Sequence, residues 1–197
     1  MVSLCKNTLE ALTGTAMGFS YTESWCNLGS IHIARRLSIA DVCYFYDNPV
    51  VVEIPEGEYV VLVKVITMGE VAYISEVVVI DVDHEHYSIG ETQGILAVDF
   101  AQAGICDRDK MEELFRHEGT KKFFEKLKSA HLTGPYRLTE TNTMMLTSTG
   151  FGDGEYEVKE ILSENRKRIG ITVTFVSNDE LNDPHNKFLN ANIGDIS

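Results

Sequence analysis

The chain has 197 residues, 44% of them hydrophobic, and its 30 acidic against 17 basic side chains give a net charge of −13. That length and apolar content suit one large domain or two small packed halves, and exclude a disordered chain. The negative charge disfavours direct contact with nucleic-acid phosphates or anionic membranes, and leaves basic protein partners, cationic ligands and divalent metals as the attractive alternatives. The plainest account of the same charge is a soluble surface.

Cys5, Cys26, Cys43 and Cys106 are widely spaced, with no C-x-x-C pair, so neither a zinc knuckle nor a thioredoxin-like site has support. The first residues lack an apolar stretch of signal-peptide type, and no run reaches the length of a membrane span. A reduced, cytoplasmic protein is the expectation.

In chain order, residues 1–30 read as an N-terminal extension, with a short helix from Thr8 to Leu12, a loop from Thr13 to Ser20, and Trp25 as a packing anchor. From Ser30 the pattern suits strands: Ile31 and Ile33, Leu37 and Ile39, then Cys43-Tyr44-Phe45-Tyr46, with Asp47-Asn48-Pro49 as a turn. Val50 to Ile54 is a short strand. Tyr59 to Ile66 is apolar on both faces, which predicts a central strand, and Val71 to Val82 returns as its hairpin partner. The stretch from Asp81 to Gly94 is polar and reads as a connection. Ile95 to Asp99 is the next strand. Asp109 and Glu112 have capping-box spacing, and Met111, Leu114 and Phe115 share one helical face. Gly119 interrupts that helix. Thr143 to Thr147 is a strand, Gly150 to Gly154 a tight turn, and Tyr156 to Leu162 with Ile169 to Val176 a second hairpin around the basic tip Arg166-Lys167-Arg168.

One phrase occurs twice. Pro55-Glu56-Gly57-Glu58-Tyr59-Val60-Val61 returns as Gly152-Asp153-Gly154-Glu155-Tyr156-Glu157-Val158, each followed by a hairpin. Upstream of each lies an apolar run ending in aspartate, Leu37 to Asp47 and Ile95 to Asp107. A repeat of this kind sets the whole architecture. The expected fold class is mainly β: a β-sandwich or rolled antiparallel sheet built from two β repeats, with a short helical insertion. The duplicated domain spans 31–177, with repeat one at 31–82, repeat two at 95–177, the helical insertion at 108–131, and a polar tail at 178–197.

The stretches Val98-Asp99-Phe100-Ala101 to Asp107 and Thr149-Gly150-Phe151-Gly152-Asp153-Gly154-Glu155-Tyr156 resemble a bacterial and phage family known mainly as a domain of unknown function. Its motifs are V-D-x-G-x-x-x-x-x-D and S-G-x-G-D-G-x-Y. Pro55, Gly57, Tyr59 and Val61 resemble the family's earlier P-x-G-x-Y-x-V segment. The resemblance runs from about Ser38 to Val176. Ala101 stands where the family has glycine, and Thr149 where it has serine. The resemblance implies a fold unit and a phage setting rather than an activity.

The acidic residues of these phrases are the first candidate site. Asp99, Asp107 and Asp153 lie at strand ends or turns, and converging loops would let them bind a ligand or hold a divalent cation such as Ca²⁺ or Mg²⁺. The competing and stronger account is turn chemistry, in which the carboxylates bond nearby backbone N–H groups. Tyr59 and Tyr156 are either a paired aromatic binding site or core tyrosines whose hydroxyls reach the backbone, and their repetition favours the latter. His84 and His86 share a face of an extended segment and would need a third metal ligand. Cys106 is a nucleophile candidate with His117 or His131 as base, although its apolar surroundings favour a buried, inert thiol. Gly150, Gly152 and Gly154 suit a hairpin bend better than a phosphate cradle, since no P-loop lysine follows.

The functional expectation is a non-enzymatic, acidic, cytoplasmic binding or inhibitor module for a protein partner with a basic surface, with no nucleic acid or membrane partner. The alternatives are a metal-dependent hydrolase or small-ligand enzyme using the aspartates, and a phage structural component.

Overall fold

The computed structural model describes residues 12–16, 19–84, 86–129, 136–137 and 144–182. Its strands are β1 (Leu12–Ala16), β2 (Phe19–Ile33), β3 (Arg36–Asp41), β4 (Val50–Glu53), β5 (Gly57–Met68), β6 (Val71–Asp81), β7 (Tyr87–Val98), β8 (Gln102–Asp107), β9 (Tyr136–Arg137), β10 (Met144–Ser148), β11 (Gly154–Ser163) and β12 (Arg168–Thr174). Helix α1 (Arg108–Ser129) follows β8, and the short α2 (Asn178–Asn182) follows β12. The strands form two antiparallel sheets, one seven-stranded in the order β1-β2-β5-β6-β12-β11-β7 and one five-stranded in the order β4-β3-β8-β10-β9. The architecture is a β-sandwich with one helical insertion. Among the described residues no helix is long and apolar enough to cross a membrane.

The strand pattern explains the layers. Alternate residues of a strand face opposite sides of its sheet. Val61 and Val63 of β5, Val77 and Val79 of β6, and Ile171 and Val173 of β12 point into the space between the sheets. There they meet Leu37, Ile39 and Ile105 of the smaller sheet. The intervening Leu62, Val78 and Ile80 join Ile161 and Ile169 in a second apolar cluster, against which Trp25 and Tyr87 pack. This is why β5 and β6 read as apolar on both faces. A third cluster places Met111 and Phe115 of α1 against Ala40, Phe45, Cys106, Met144 and Leu146. The helix thus covers the smaller sheet.

Two sets of strands, wider than the 31–82 and 95–177 read from the sequence, match in order about a local twofold axis. Strands β2, β3, β4, β5 and β6 correspond to β7, β8, β10, β11 and β12, and with β1 and β9 set aside each sheet's order reads the same from either end. The registers agree. Val79 pairs with Ile171 and Val77 with Val173, placing Val78 opposite Thr172 on the axis. In the other sheet Leu37 pairs with Asp107 and Asp41 with Ala103, placing Ile39 opposite Ile105. Tyr59 lies opposite Ile31 on β2, as Tyr156 lies opposite Leu96 on β7. Strands β1 and β9 and helices α1 and α2 stand outside this correspondence.

Several local expectations differ from the structure. The stretch 42–49 is a turn-rich loop, not a continuation of β3. Asp41, not Asp47, is therefore the counterpart of Asp107. The polar segment before Ile95 is largely strand, since β7 starts at Tyr87. It reads as a connection because most of its side chains are not buried, as suits a strand at the end of a sheet. Residues 12–16, read as part of the extension, form β1 with a hairpin register onto β2. Gly119 does interrupt α1, with φ 76° inside the helix. The helix N-cap is Asp107, whose Oδ1 accepts the Lys110 N–H at 2.9 Å, and not Asp109. Most of the helix expected over Thr8 to Leu12, and the tail beyond 182, lie outside the described residues.

The closest approach in the larger sheet is at Gly170. A Cβ there would lie 2.0 Å from the Val79 carbonyl oxygen, a backbone atom that cannot swing aside. Gly170→Ala is expected to destabilise the fold by about 2–3 kcal/mol through forced backbone displacement. Urea unfolding of the variant measures this; an unchanged midpoint would show that the central β6–β12 ladder tolerates spreading.

Candidate functional site

Asp99, Asp107 and Asp153 lie around the two ends of the β3–β8 pair, and backbone amides engage the carboxylates of Asp107 and Asp153. Asp41 ends β3 with its carboxylate buried. Its Oδ2 accepts the N–H groups of Asp99 and Phe100 at 2.8 and 3.0 Å, and its Oδ1 that of Cys43 at 2.7 Å. Asp107 ends β8 and does the same at the opposite end. Its Oδ2 accepts the Ala34 N–H at 2.5 Å and its Oδ1 caps α1. Each aspartate therefore ties its own repeat to a bend of the other. A buried carboxylate is tolerated because these N–H groups replace its water.

The Asp153 Oδ1 accepts the Ala101 N–H at 3.0 Å. The two family-like phrases meet here as one corner. The Thr149 N–H bonds the Ala101 carbonyl at 3.0 Å, and the Thr149 hydroxyl bonds the Gly152 carbonyl at 2.7 Å. Gly150 and Gly152 take positive φ values of 55° and 123° at this bend, which explains their selection. Ala101 also takes a left-handed conformation, φ 53°, so the turn that glycine favours is made by alanine here.

Tyr59 and Tyr156 are structural equivalents. The Tyr59 hydroxyl donates to the Pro55 carbonyl at 2.8 Å, and the Tyr156 hydroxyl to the Gly152 carbonyl at 2.9 Å. Each ring packs at the main core while its tip latches the chain four residues upstream, a device also used at the corners of immunoglobulin-type sandwiches. Each tyrosine fastens its own corner. Burial, with Asp81 adding to it, pushes the Tyr59 phenol up to about 12. Burial raises Tyr156 in the same direction.

Among the described residues, no group of three or more His, Cys, Asp or Glu side chains is arranged to hold a metal ion, so Asp99, Asp107 and Asp153 are not assembled as a cation site. The reason is that Asp107 and Asp153 are drawn to separate backbone amides. His84 lies 3.9 Å from Asp81, His86 is exposed, and Glu85 is outside the described residues. Cys106 is fully buried, and desolvation pushes its thiol well above the usual range, which opposes a thiolate nucleophile. His117 sits on exposed α1 surface beside Glu113, and His131 is outside the described residues.

The feature that strand periodicity missed is a set of exposed rings around Asp41. Its carbonyl accepts the Tyr44 N–H at 3.0 Å, while its carboxylate holds the Phe100 N–H. The rings of Tyr44 and Phe100 lie 6.4 Å apart at 53°, and are 42% and 54% exposed. Tyr46 is 57% exposed, packs edge-on to Phe115 at 5.4 Å, and carries the Arg108 guanidinium 5.9 Å from its centroid. Between them Phe45 is buried and anchors the loop. Its carbonyl accepts from Arg108 at 2.9 Å. Arg108 also bonds Glu112 at 2.8 Å, and Arg36 joins Glu112 and Asp109. The Arg108 and Arg36 contacts hold the Glu112 carboxyl below its ordinary value. The alternation Tyr44-Phe45-Tyr46 contains the signal: the middle ring is core and the outer two are surface.

Comparison with protein-family models, with curated proteins and with solved structures finds no match. The resemblance to the bacterial and phage family therefore rests on the motif residues alone.

Ala101→Gly is expected to raise stability by about 0.5–1 kcal/mol, because glycine removes the left-handed strain at that turn. Thermal unfolding reads this; a lower melting temperature would mean that the alanine methyl packs favourably enough to outweigh it. Tyr59 gives a pH signature. Its phenol is neutral in both states below pH 10, and the unfolded chain ionises first between pH 10 and about 12. Stability should fall across that window, by on the order of 2 kcal/mol from this group. Tyr59→Phe should lower stability at neutral pH by about 1 kcal/mol through loss of the Pro55 bond, and should flatten the alkaline fall. An identical alkaline slope in the variant would assign the titration elsewhere.

Proposed function

We propose that the protein is a non-enzymatic binding module that engages, and thereby inhibits or sequesters, a protein partner with a basic surface. The observation that carries this is the exposure of Tyr44, Tyr46 and Phe100 on a chain of net charge −13. Tyrosine and phenylalanine offer large contact area at little conformational cost, and such rings dominate the energetics of many protein interfaces. Acidic charge adds long-range attraction to a basic partner. The residues best suited to catalysis support the same reading, since Asp107 and Asp153 are engaged by backbone amides and Cys106 is buried. A cytoplasmic setting and a phage origin, the latter suggested by the motif resemblance, fit a module that acts on a host protein.

Immobilised protein should retain a basic partner from host lysate at low salt and release it progressively as ionic strength rises. The double variant Tyr44→Ser with Phe100→Ser should weaken retention by about 2 kcal/mol or more, roughly thirtyfold, without altering the circular dichroism spectrum. Retention unaffected by the double substitution would sink the proposal for this face. Calorimetric heat with Mg²⁺, Ca²⁺, Mn²⁺ or Zn²⁺, abolished by Asp99→Asn, would favour the metal-dependent enzyme instead.

A further inference from the structure

The local twofold relation separates what the fold requires from what it carries in addition. At one end of the β3–β8 pair, Asp107 binds the backbone N–H of Ala34. At the other, Asp41 binds the N–H of Phe100. The two contacts are equivalent, and both use only the backbone of the residue held. A methyl group suffices at the first end, so the half-exposed phenyl ring at the second is not needed to make the turn. Tyr44 is fixed by the carbonyl of the same Asp41 and sets its ring beside that of Phe100. One buried residue thus preorganises both members of an exposed aromatic pair, and preorganised side chains lose little freedom when a partner docks.

The chemistry of the pair indicates its occupant. Asp47 and Asp99, both exposed, lie in the same two turns: the Asp47 N–H bonds the Tyr44 carbonyl at 3.0 Å, and Asp99 directly precedes Phe100. Ring faces and nearby carboxylates both attract cations. The molecule already uses this attraction next door, where Arg108 lies over Tyr46. A guanidinium is planar, stacks on aromatic faces and presents a fork of donors to carboxylates, which an ammonium does not.

We propose that the Tyr44–Phe100 pair, with Asp47 and Asp99, is a seat for an arginine side chain of the protein partner. The seat rests on the binding role proposed above and specifies the residue that the partner inserts. Asp41 is its positioning residue. The rings supply stacking area, and the carboxylates supply charge and hydrogen-bond acceptors.

The test is a titration of the isotope-labelled full chain with the peptide acetyl-Gly-Arg-Gly-Arg-Gly-amide, alongside its lysine and citrulline counterparts, followed by amide shifts. The arginine peptide should shift Tyr44, Asp47, Asp99 and Phe100, bind more tightly than the lysine peptide, and bind at least tenfold more tightly than the neutral citrulline peptide. Phe100→Leu keeps an apolar side chain at an exposed position but removes the ring, and should weaken arginine binding at least fivefold. Phe100→Trp should restore or strengthen it. Equal binding of the lysine peptide, shifts scattered over the acidic surface, undiminished binding to Phe100→Leu, or no binding at all would each overturn the seat. If lysate capture is lost in the Tyr44 and Phe100 double variant while no peptide binds, the binding role stands and the arginine seat falls. If the peptide binds as stated and no partner is retained, the reverse holds.

Discussion

Two buried aspartates hold this sandwich in register. Asp41 and Asp107 sit at opposite ends of the antiparallel β3–β8 pair, and each reaches across to the backbone of the other repeat. The cost of burying a carboxylate is offset only while those N–H groups stay in place, so each aspartate makes the position of a foreign turn a condition of its own burial. Ile39 and Ile105, opposed at the centre of the pair, supply the apolar contact that keeps the two ends aligned. The smaller sheet is thereby a two-ended clip, and the larger sheet closes over it through valines and isoleucines on the inner faces of β5, β6 and β12.

The two ends of the clip have diverged in what they support. At Asp107 the chain enters a helix, and the carboxylate caps it while Arg36 and Arg108 bind the first turn's acidic side chains. At Asp41 the chain enters a compact loop that buries Phe45 and leaves Tyr44 and Tyr46 at the surface. One scaffold thus yields a covered end and an aromatic end.

The corners beyond the clip follow the same economy. Tyr59 and Tyr156 each fasten the segment that crosses between sheets, using a hydroxyl whose burial is compensated by a carbonyl four residues back. The glycines of the second corner allow the left-handed bends that bring Thr149 and Asp153 against Ala101. Ala101 shows that the corner forms with a non-glycine residue at positive φ, where several hydrogen bonds converge to fix it.

The sequence by itself determined the β class, the two hairpins, the helical insertion and the kinship of the Tyr59 and Tyr156 phrases, because these are written in local alternation, turn residues and repetition. It also favoured a structural role for both tyrosines and for the aspartates. Only the tertiary structure decided which aspartate mirrors Asp107, since the match depends on strand pairing across the axis and not on the end of an apolar run. It placed Tyr87 to Gly94 in a strand because a sheet's last strand needs few apolar residues. It also separated Phe45 from Tyr44 and Tyr46, because which ring of an apolar cluster reaches solvent depends on what the rest of the chain packs against it.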